Sequence, residues 1–201
     1  MQLSHFEDDR VVVRKRCVGP WENNAYAVIC RTTGISVLVD AAAEPDALVE
    51  LLDGSRPSAI LTTHGHPDHV GAVEELRRRL GVPWHLHPAD APLVGLEPDE
   101  PLLPGEIVVG EVRLAAVHTP GHTPGSTCLV GDGYVLTGDT LFPGGPGATR
   151  GPGSSFEAIV ASIRDRLFSL PGDTLVFPGH GLDTTIGAER PHLEEWVARG
   201  W

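Results

Sequence analysis

The stretch Leu61-Thr62-Thr63-His64-Gly65-His66-Pro67-Asp68-His69 puts three histidines and an aspartate within six residues, just as a short apolar run gives out. Ala59 to Thr62 reads as a buried strand. His64 and His66 lie two apart, so in extended backbone both side chains point to one side. Gly65 lets the chain pass close to a bound ion, and Pro67 sets a turn into a helix. Asp68 and His69 then fall on the first residues of that helix and can face back. A single tetrahedral zinc takes three or four protein ligands. Four candidates come from this loop alone, so more than one metal is expected.

Working outward, further candidates occupy equivalent places. His122 lies in His118-Thr119-Pro120-Gly121-His122-Thr123-Pro124-Gly125-Ser126, just after a strand. Asp139 follows Thr137-Gly138, and His180 follows Phe177-Pro178-Gly179, both at strand ends. A carboxylate has two oxygens, which makes Asp139 the natural ligand to share between two cations. His118 reads as a support for the site rather than a ligand. The chain holds 10 histidines, where average usage gives about four or five. His5, His85, His87 and His192 show no partner in the sequence.

The remaining pattern is strands in hairpins alternating with helices. Strands are expected at Val11–Val18, Asn24–Arg31 and Ile35–Asp40, the last two joined through Thr32-Thr33-Gly34. A helix follows over Glu44–Leu52, then an amphipathic one over Val70–Leu80 closed by Gly81. Trp84–His87 reads as a strand and Ala89–Pro104 as an irregular, proline-rich surface loop. In the second half, hairpins are expected at Glu106–Val109 with Val112–Val117, and at Thr127–Val130 with Tyr134–Thr137. Phe142–Gly153 is too rich in Gly and Pro for regular structure. Ser155–Leu170 reads as a helix with Ser154 as its N-cap, Thr174–Phe177 as a strand and Pro191–Arg199 as a final helix. Two packed sheets covered by helices satisfy this order.

Composition limits the function. The 201 residues are 41% hydrophobic and 21% charged, ordinary for one globular domain. The formal charge of −12 speaks against a nucleic-acid surface, which needs a clustered basic face. Arg14-Lys15-Arg16 decorates a strand, and Arg77-Arg78-Arg79 a helix. Cys17, Cys30 and Cys128 are odd in number and far apart, so no disulfide framework is expected. With no apolar leader and no run long enough for a membrane span, the expectation is a cytoplasmic protein that does not engage membranes.

These motifs resemble those of the metallo-β-lactamase-fold hydrolases over nearly the whole chain. Asp40, after Ile35-Ser36-Val37-Leu38-Val39, matches the first motif and THGHPDH the second. His122, Asp139 and His180 match the third to fifth. The resemblance implies an α/β fold, a four-layer αβ/βα sandwich with two central mixed β-sheets flanked by helices and the metal site at one sheet edge. HTPGHTPGS, GDTLF, PGHG and Thr185-Ile186-Gly187-Ala188-Glu189 are similar to the glyoxalase II group in particular. By that resemblance His64, His66 and His122 bind one metal, Asp68, His69 and His180 the other, Asp139 bridges, and Asp40 orients a ligand. Residues 1–201 then form one domain without the C-terminal helical, glutathione-binding domain of glyoxalase II.

The implied activity is hydrolysis of a small-molecule thioester. Two divalent transition ions, zinc first and iron or manganese as alternatives, activate a bridging hydroxide. Asp68 orients that hydroxide or takes its proton. Arg150, in the Gly-rich loop after Asp139, is the candidate partner of a substrate carboxylate. Two readings compete. The same dinuclear set would serve a lactone or other ester. His64, His122 and Asp139 alone form a 2-His-1-carboxylate set suited to iron, as the resemblance to persulfide dioxygenases implies.

Overall fold

The structure, a computed structural model, describes residues 4–200. Its centre is two mixed sheets. The first runs in spatial order Phe6–Glu7, Val11–Val18, Asn23–Cys30, Ile35–Val39, Arg56–Leu61, Trp84–Leu86 and Glu100–Pro101. Pairing is antiparallel up to Ile35–Val39 and parallel beyond it. The second runs Thr184–Thr185, Leu175–Pro178, Tyr134–Gly138, Thr127–Val130, Val112–His118 and Gly105–Val109. There only Tyr134–Gly138 and Leu175–Pro178 pair in parallel.

Period-two alternation explains how these sheets stack. In Asn23–Cys30, Tyr26, Val28 and Cys30 join the layer between the sheets, with Val13, Val37, Leu61, Leu114, Leu129 and Phe177. Ala25, Ala27 and Ile29 face the other way, onto a layer with Leu38, Ile60 and Trp84 under the helices Pro45–Leu51 and Val73–Leu80. On the far side, Cys128, Val135 and Val176 meet Ile159, Ile163 and Trp196 from the helices Phe156–Ser162 and Leu193–Arg199 and the π-helical turn Ile163–Leu167. Helix, sheet, sheet, helix is the four-layer α/β sandwich that the family resemblance implied, and it agrees with the two helix-covered sheets expected from the pattern. Strands apolar on both faces are what such burial requires.

Several elements differ in detail. The helix expected over Val70–Leu80 is two, Pro67–Val70 and Val73–Leu80. The interruption gives Asp68 and His69 a one-turn helix of their own. Ser155, not Ser154, caps the next helix, accepting from the Ala158 N–H, while Ser154 Oγ donates to the Gly151 carbonyl. Ala89–Pro104 is not irregular throughout. Pro88–Asp90 is a 3₁₀ turn, Ala91–Val94 a helical turn, and Glu100–Pro101 an edge strand. Within Phe142–Gly153 a two-residue ribbon forms, Gly145–Pro146 pairing with Leu141–Phe142. The final helix starts as a 3₁₀ turn over Arg190–His192 before Leu193–Arg199. Local propensity does not foresee these because tertiary contacts stabilise them.

The four histidines without an evident partner all have contacts. His5 pairs with Asp183 at 2.7 Å, His85 with Glu100 at 3.8 Å and His192 with Glu195 at 3.4 Å. His87 stacks on His118 with ring centroids 4.2 Å apart. The three cysteines are free thiols, and no described helix is long and apolar enough to cross a membrane.

Leu38 is fully buried in the layer beneath the first pair of helices. Leu38→Ala is expected to cost about 2–5 kcal/mol by leaving a cavity. In urea unfolding the midpoint should fall while the slope stays unchanged.

Candidate metal centre

Strand ends from both sheets converge at one edge of the sandwich. Arg56–Leu61 leads into His64 and His66, and the one-turn helix Pro67–Val70 returns Asp68 and His69 to the same place. His122 sits between Val112–His118 and Thr127–Val130. Asp139 follows Tyr134–Gly138, and His180 follows Leu175–Pro178. Backbone bonds clamp the sheets here. The Thr127 N–H donates to the Thr63 carbonyl at 2.9 Å, and the Asn24 N–H to the Gly179 carbonyl at 2.7 Å.

Three overlapping groups result, each with ligand atoms within 4.8 Å of one another. They are His64, His66 and His122; His64, His69 and Asp139; and Asp68, His69 and His180. His66 Nδ1 lies 3.1 Å from His64 Nε2 and 2.9 Å from His122 Nε2. His69 Nε2 lies 3.3 Å from His180 Nε2. Asp68 Oδ2 is 3.3 Å from His180 Nε2 and 3.6 Å from His69 Nε2. Asp139 reaches both ends: Oδ1 is 3.5 Å from His69 Nε2, and Oδ2 is 3.6 Å from His122 Nε2 and from His180 Nε2. Thus the structure brings all seven sequence candidates together.

The rings are aimed by what their other nitrogens do. His64 Nδ1–H donates to Thr63 Oγ1 at 3.1 Å, which donates to Asp40 at 2.8 Å. His69 Nδ1–H donates to Asp40 Oδ2 at 2.9 Å. His122 Nδ1–H donates to the Ala148 carbonyl at 2.7 Å, and His180 Nδ1–H to the Trp21 carbonyl at 2.9 Å. Each bond fixes the ring orientation and turns Nε2 toward the cluster. Asp40 sits at a strand end with φ of 60°, a left-handed conformation that aspartate tolerates better than most residues. It also accepts from the Thr63 N–H at 2.8 Å. His118 is further off. Its Nε2–H donates to the Pro124 carbonyl at 2.8 Å, so it braces the His122 loop without touching the ligands.

This arrangement fits a cation. His64 and His122 both direct Nε2 lone pairs at His66 Nδ1, and a single ring hydrogen there can satisfy only one of them. His69 Nε2 and His180 Nε2 face each other with no protein group between them. Asp139 Oδ1 is buried without a hydrogen-bond partner, an arrangement that costs free energy unless something else binds the oxygen. Burial works against charge on His69, yet Asp40, then Asp139 and Asp68, outweigh it and raise its pKa to about 9. Asp68 is partly buried, but hydrogen bonds from His180 and Asn23 hold its carboxyl well below the usual range. His64, buried among like rings, is pushed well below its ordinary value. The carboxylates of Asp40, Asp68 and Asp139 therefore favour positive charge in the cluster, which a cation held there would supply.

Sequence reasoning missed three contributors. Asn23 Nδ2 donates to Asp68 Oδ2 at 3.0 Å, and nothing in a strand-forming NNAYAVIC announces this. Asp90 lies in what reads as a surface loop yet is fully buried against two ligand loops. Gly179 is required by space, because a Cβ there would lie 2.3 Å from Asp139 Oδ1 and 2.8 Å from His69 Cε1. Arg150 is exposed and makes no ion pair among the described residues. Its neighbour Gly151 packs toward His66, a Cβ there falling 3.6 Å from His66 Nε2.

Comparison with known proteins agrees with this geometry. Residues 18–180 match the family model described as the metallo-beta-lactamase superfamily. The chain is 33% identical over 178 residues to the hydroxyacylglutathione hydrolase GloC of Haemophilus influenzae, covering 77% of this chain and 84% of that protein. Among solved structures, it is similar to the BLEG-1 B3 metallo-beta-lactamase (31% identity, TM-score 0.81, 90% of this chain and 97% of that one). TTHA1623 in a di-iron-bound form is 39% identical (TM-score 0.76, 88% and 96% covered). ETHE1 from Myxococcus xanthus is 26% identical (TM-score 0.81, 90% and 82% covered). The fold, the converging ligand groups and the matched family model together place this chain in the metallo-beta-lactamase superfamily.

Proposed function

We propose that this chain is a metal-dependent hydrolase that cleaves a small-molecule thioester at a dinuclear centre. The observation that carries the dinuclear reading is the reach of Asp139. Its two oxygens address His69 on one side and His122 on the other, with His180 also facing Oδ2. In this reading His64, His66 and His122 hold one divalent transition ion, Asp68, His69 and His180 the second, and Asp139 both. The di-iron form of TTHA1623 supports iron as an occupant, and the mixed N/O ligand set suits zinc equally. When bound, such a pair supplies a water acidified enough to attack at neutral pH and a Lewis acid for the substrate carbonyl.

The chain's own residues supply orientation. Asn23 fixes Asp68 through Oδ2, leaving Oδ1 to accept a hydrogen bond from the attacking water. Asp68 is thus placed to orient that water or to take its proton. Four of the five clustered rings commit their second nitrogen to a protein acceptor. The single lysine, Lys15, is held by Asp183 at 2.7 Å and by the Gly181 carbonyl at 3.1 Å. Lys15 is thereby not offered as a general acid, which favours a substrate whose leaving group departs as a stable anion. A thiolate does so, with a free-thiol pKa near 8.5. The likeness to GloC supports the same class. Arg150, exposed beside the Gly151–His66 contact, is the proposed partner of a carboxylate on the thiol portion.

Metal analysis of the purified protein is expected to find two transition ions per chain. Stripping them should lower the melting temperature, since a ligand at 100 times its Kd adds about 2.7 kcal/mol of stability. A stripped protein that melts unchanged would reject the centre. His64→Ala and Asp139→Ala should each cut kcat/KM by more than about 100-fold, beyond the loss typical of an outer partner, with near-wild-type circular dichroism. A panel of S-lactoylglutathione, other thioesters, a lactone, a β-lactam and a persulfide tests the substrate class by thiol release, ring opening and oxygen uptake. Turnover confined to the lactone or β-lactam would replace the thioester. One iron per chain with oxygen uptake on the persulfide would overturn hydrolysis.

A further inference from the structure

Among the described residues, Asp90 is the one fully buried carboxylate at this edge that touches no candidate ligand side chain. It is 0% exposed and forms no ion pair with Lys or Arg among the described residues. Its charge is met instead by donors from two separate loops. Oδ2 accepts from the Gly65 N–H at 2.8 Å and from Thr123 Oγ1 at 2.6 Å, while Oδ1 accepts from the Gly125 N–H at 2.6 Å. Gly65 lies between His64 and His66, and Thr123 follows His122. The fit is close on both sides. A Cβ on Gly65 would fall 2.8 Å from the Asp90 carbonyl oxygen, and one on Gly125 would fall 2.6 Å from Asp90 Cγ.

The segment bearing Asp90 is itself anchored to the His122 loop. His87 caps the 3₁₀ turn by accepting from the Ala89 N–H at 3.2 Å. Its ring lies over His118 at an interplanar angle of 8°, and His118 in turn binds the Pro124 carbonyl. A buried charge costs free energy unless it is well paired. Charge-assisted bonds to backbone N–H groups are short and directional, so the carboxylate constrains geometry more than it adds stability.

We propose that Asp90 is a positioning residue that sets the distance between the His64–His66 loop and the His122 loop, and so tunes the group His64, His66 and His122 for its ion. This rests on the metal-centre reading above. The second group, Asp68, His69 and His180, is fixed by Asp40, Asn23 and the Trp21 carbonyl, none of which touches Asp90.

The test compares wild type, Asp90→Asn and Thr123→Val by metal content, by chelator competition with zinc, and by melting of the stripped proteins. Asparagine keeps the shape but sets an NH₂ against one of the facing N–H groups. Asp90→Asn should lower the affinity for one ion by about 10–100-fold, the range for residues that orient ligands, and leave the other unchanged. Thr123→Val, which removes one donor and leaves the carboxylate, should weaken the same ion by less. In a His180→Ala background, where the remaining ion sits on the three-histidine group, Asp90→Asn should cost the same factor. Unchanged affinities would overturn the proposal. So would equal weakening of both ions in step with a lower melting temperature of the stripped protein, the mark of a merely structural carboxylate. A wild-type protein that binds no zinc would instead sink the metal-centre reading, and the proposal with it.

Discussion

Imidazole lone pairs that face one another across about 3 Å repel unless a positive charge sits between them. Most of the structure around the sandwich edge can be understood as holding that unfavourable arrangement in place. Asp40, Thr63, the Ala148 carbonyl and the Trp21 carbonyl each take a ring N–H and leave Nε2 facing inward. No single one of these bonds is worth more than a few kcal/mol. Together they leave the rings little freedom to turn away from the cluster.

The stability that permits this comes from elsewhere. Three apolar layers, one between the sheets and one under each set of helices, are separate from the polar edge. A strained feature such as Asp40 at φ of 60° or the orphaned Asp139 Oδ1 is tolerable because the core determines the strand ends independently. Space is controlled as tightly as charge. Gly179 keeps a side chain out of the Asp139–His69 contact, and Gly65 and Gly125 let Asp90 press between two loops.

Lys15 shows how position changes the meaning of a residue. In sequence it is the middle one of three consecutive basic residues on a strand. In the fold its ammonium lies 5.8 Å from the centre of the Tyr26 ring and binds Asp183 and the Gly181 carbonyl. It therefore steadies the chain just beyond His180. Its neighbour Arg16 pairs with Glu50 at the surface, an exposed contact of little energetic weight.

The sequence by itself determined the fold class and the seven candidate ligands. Short apolar runs bounded by turn residues mark the strands, and HxHxDH keeps its spacing wherever the chain goes, so both can be read locally. It did not reveal Asp90, Asn23 or the split of the Val70–Leu80 helix. Asp90 gains its role from residues 25 and 35 positions away, and Asn23 from Asp68, 45 positions on. No local propensity encodes such pairs. Only the tertiary structure decided them, because the packing of the two sheets is what brings one loop's donors to the other loop's carboxylate.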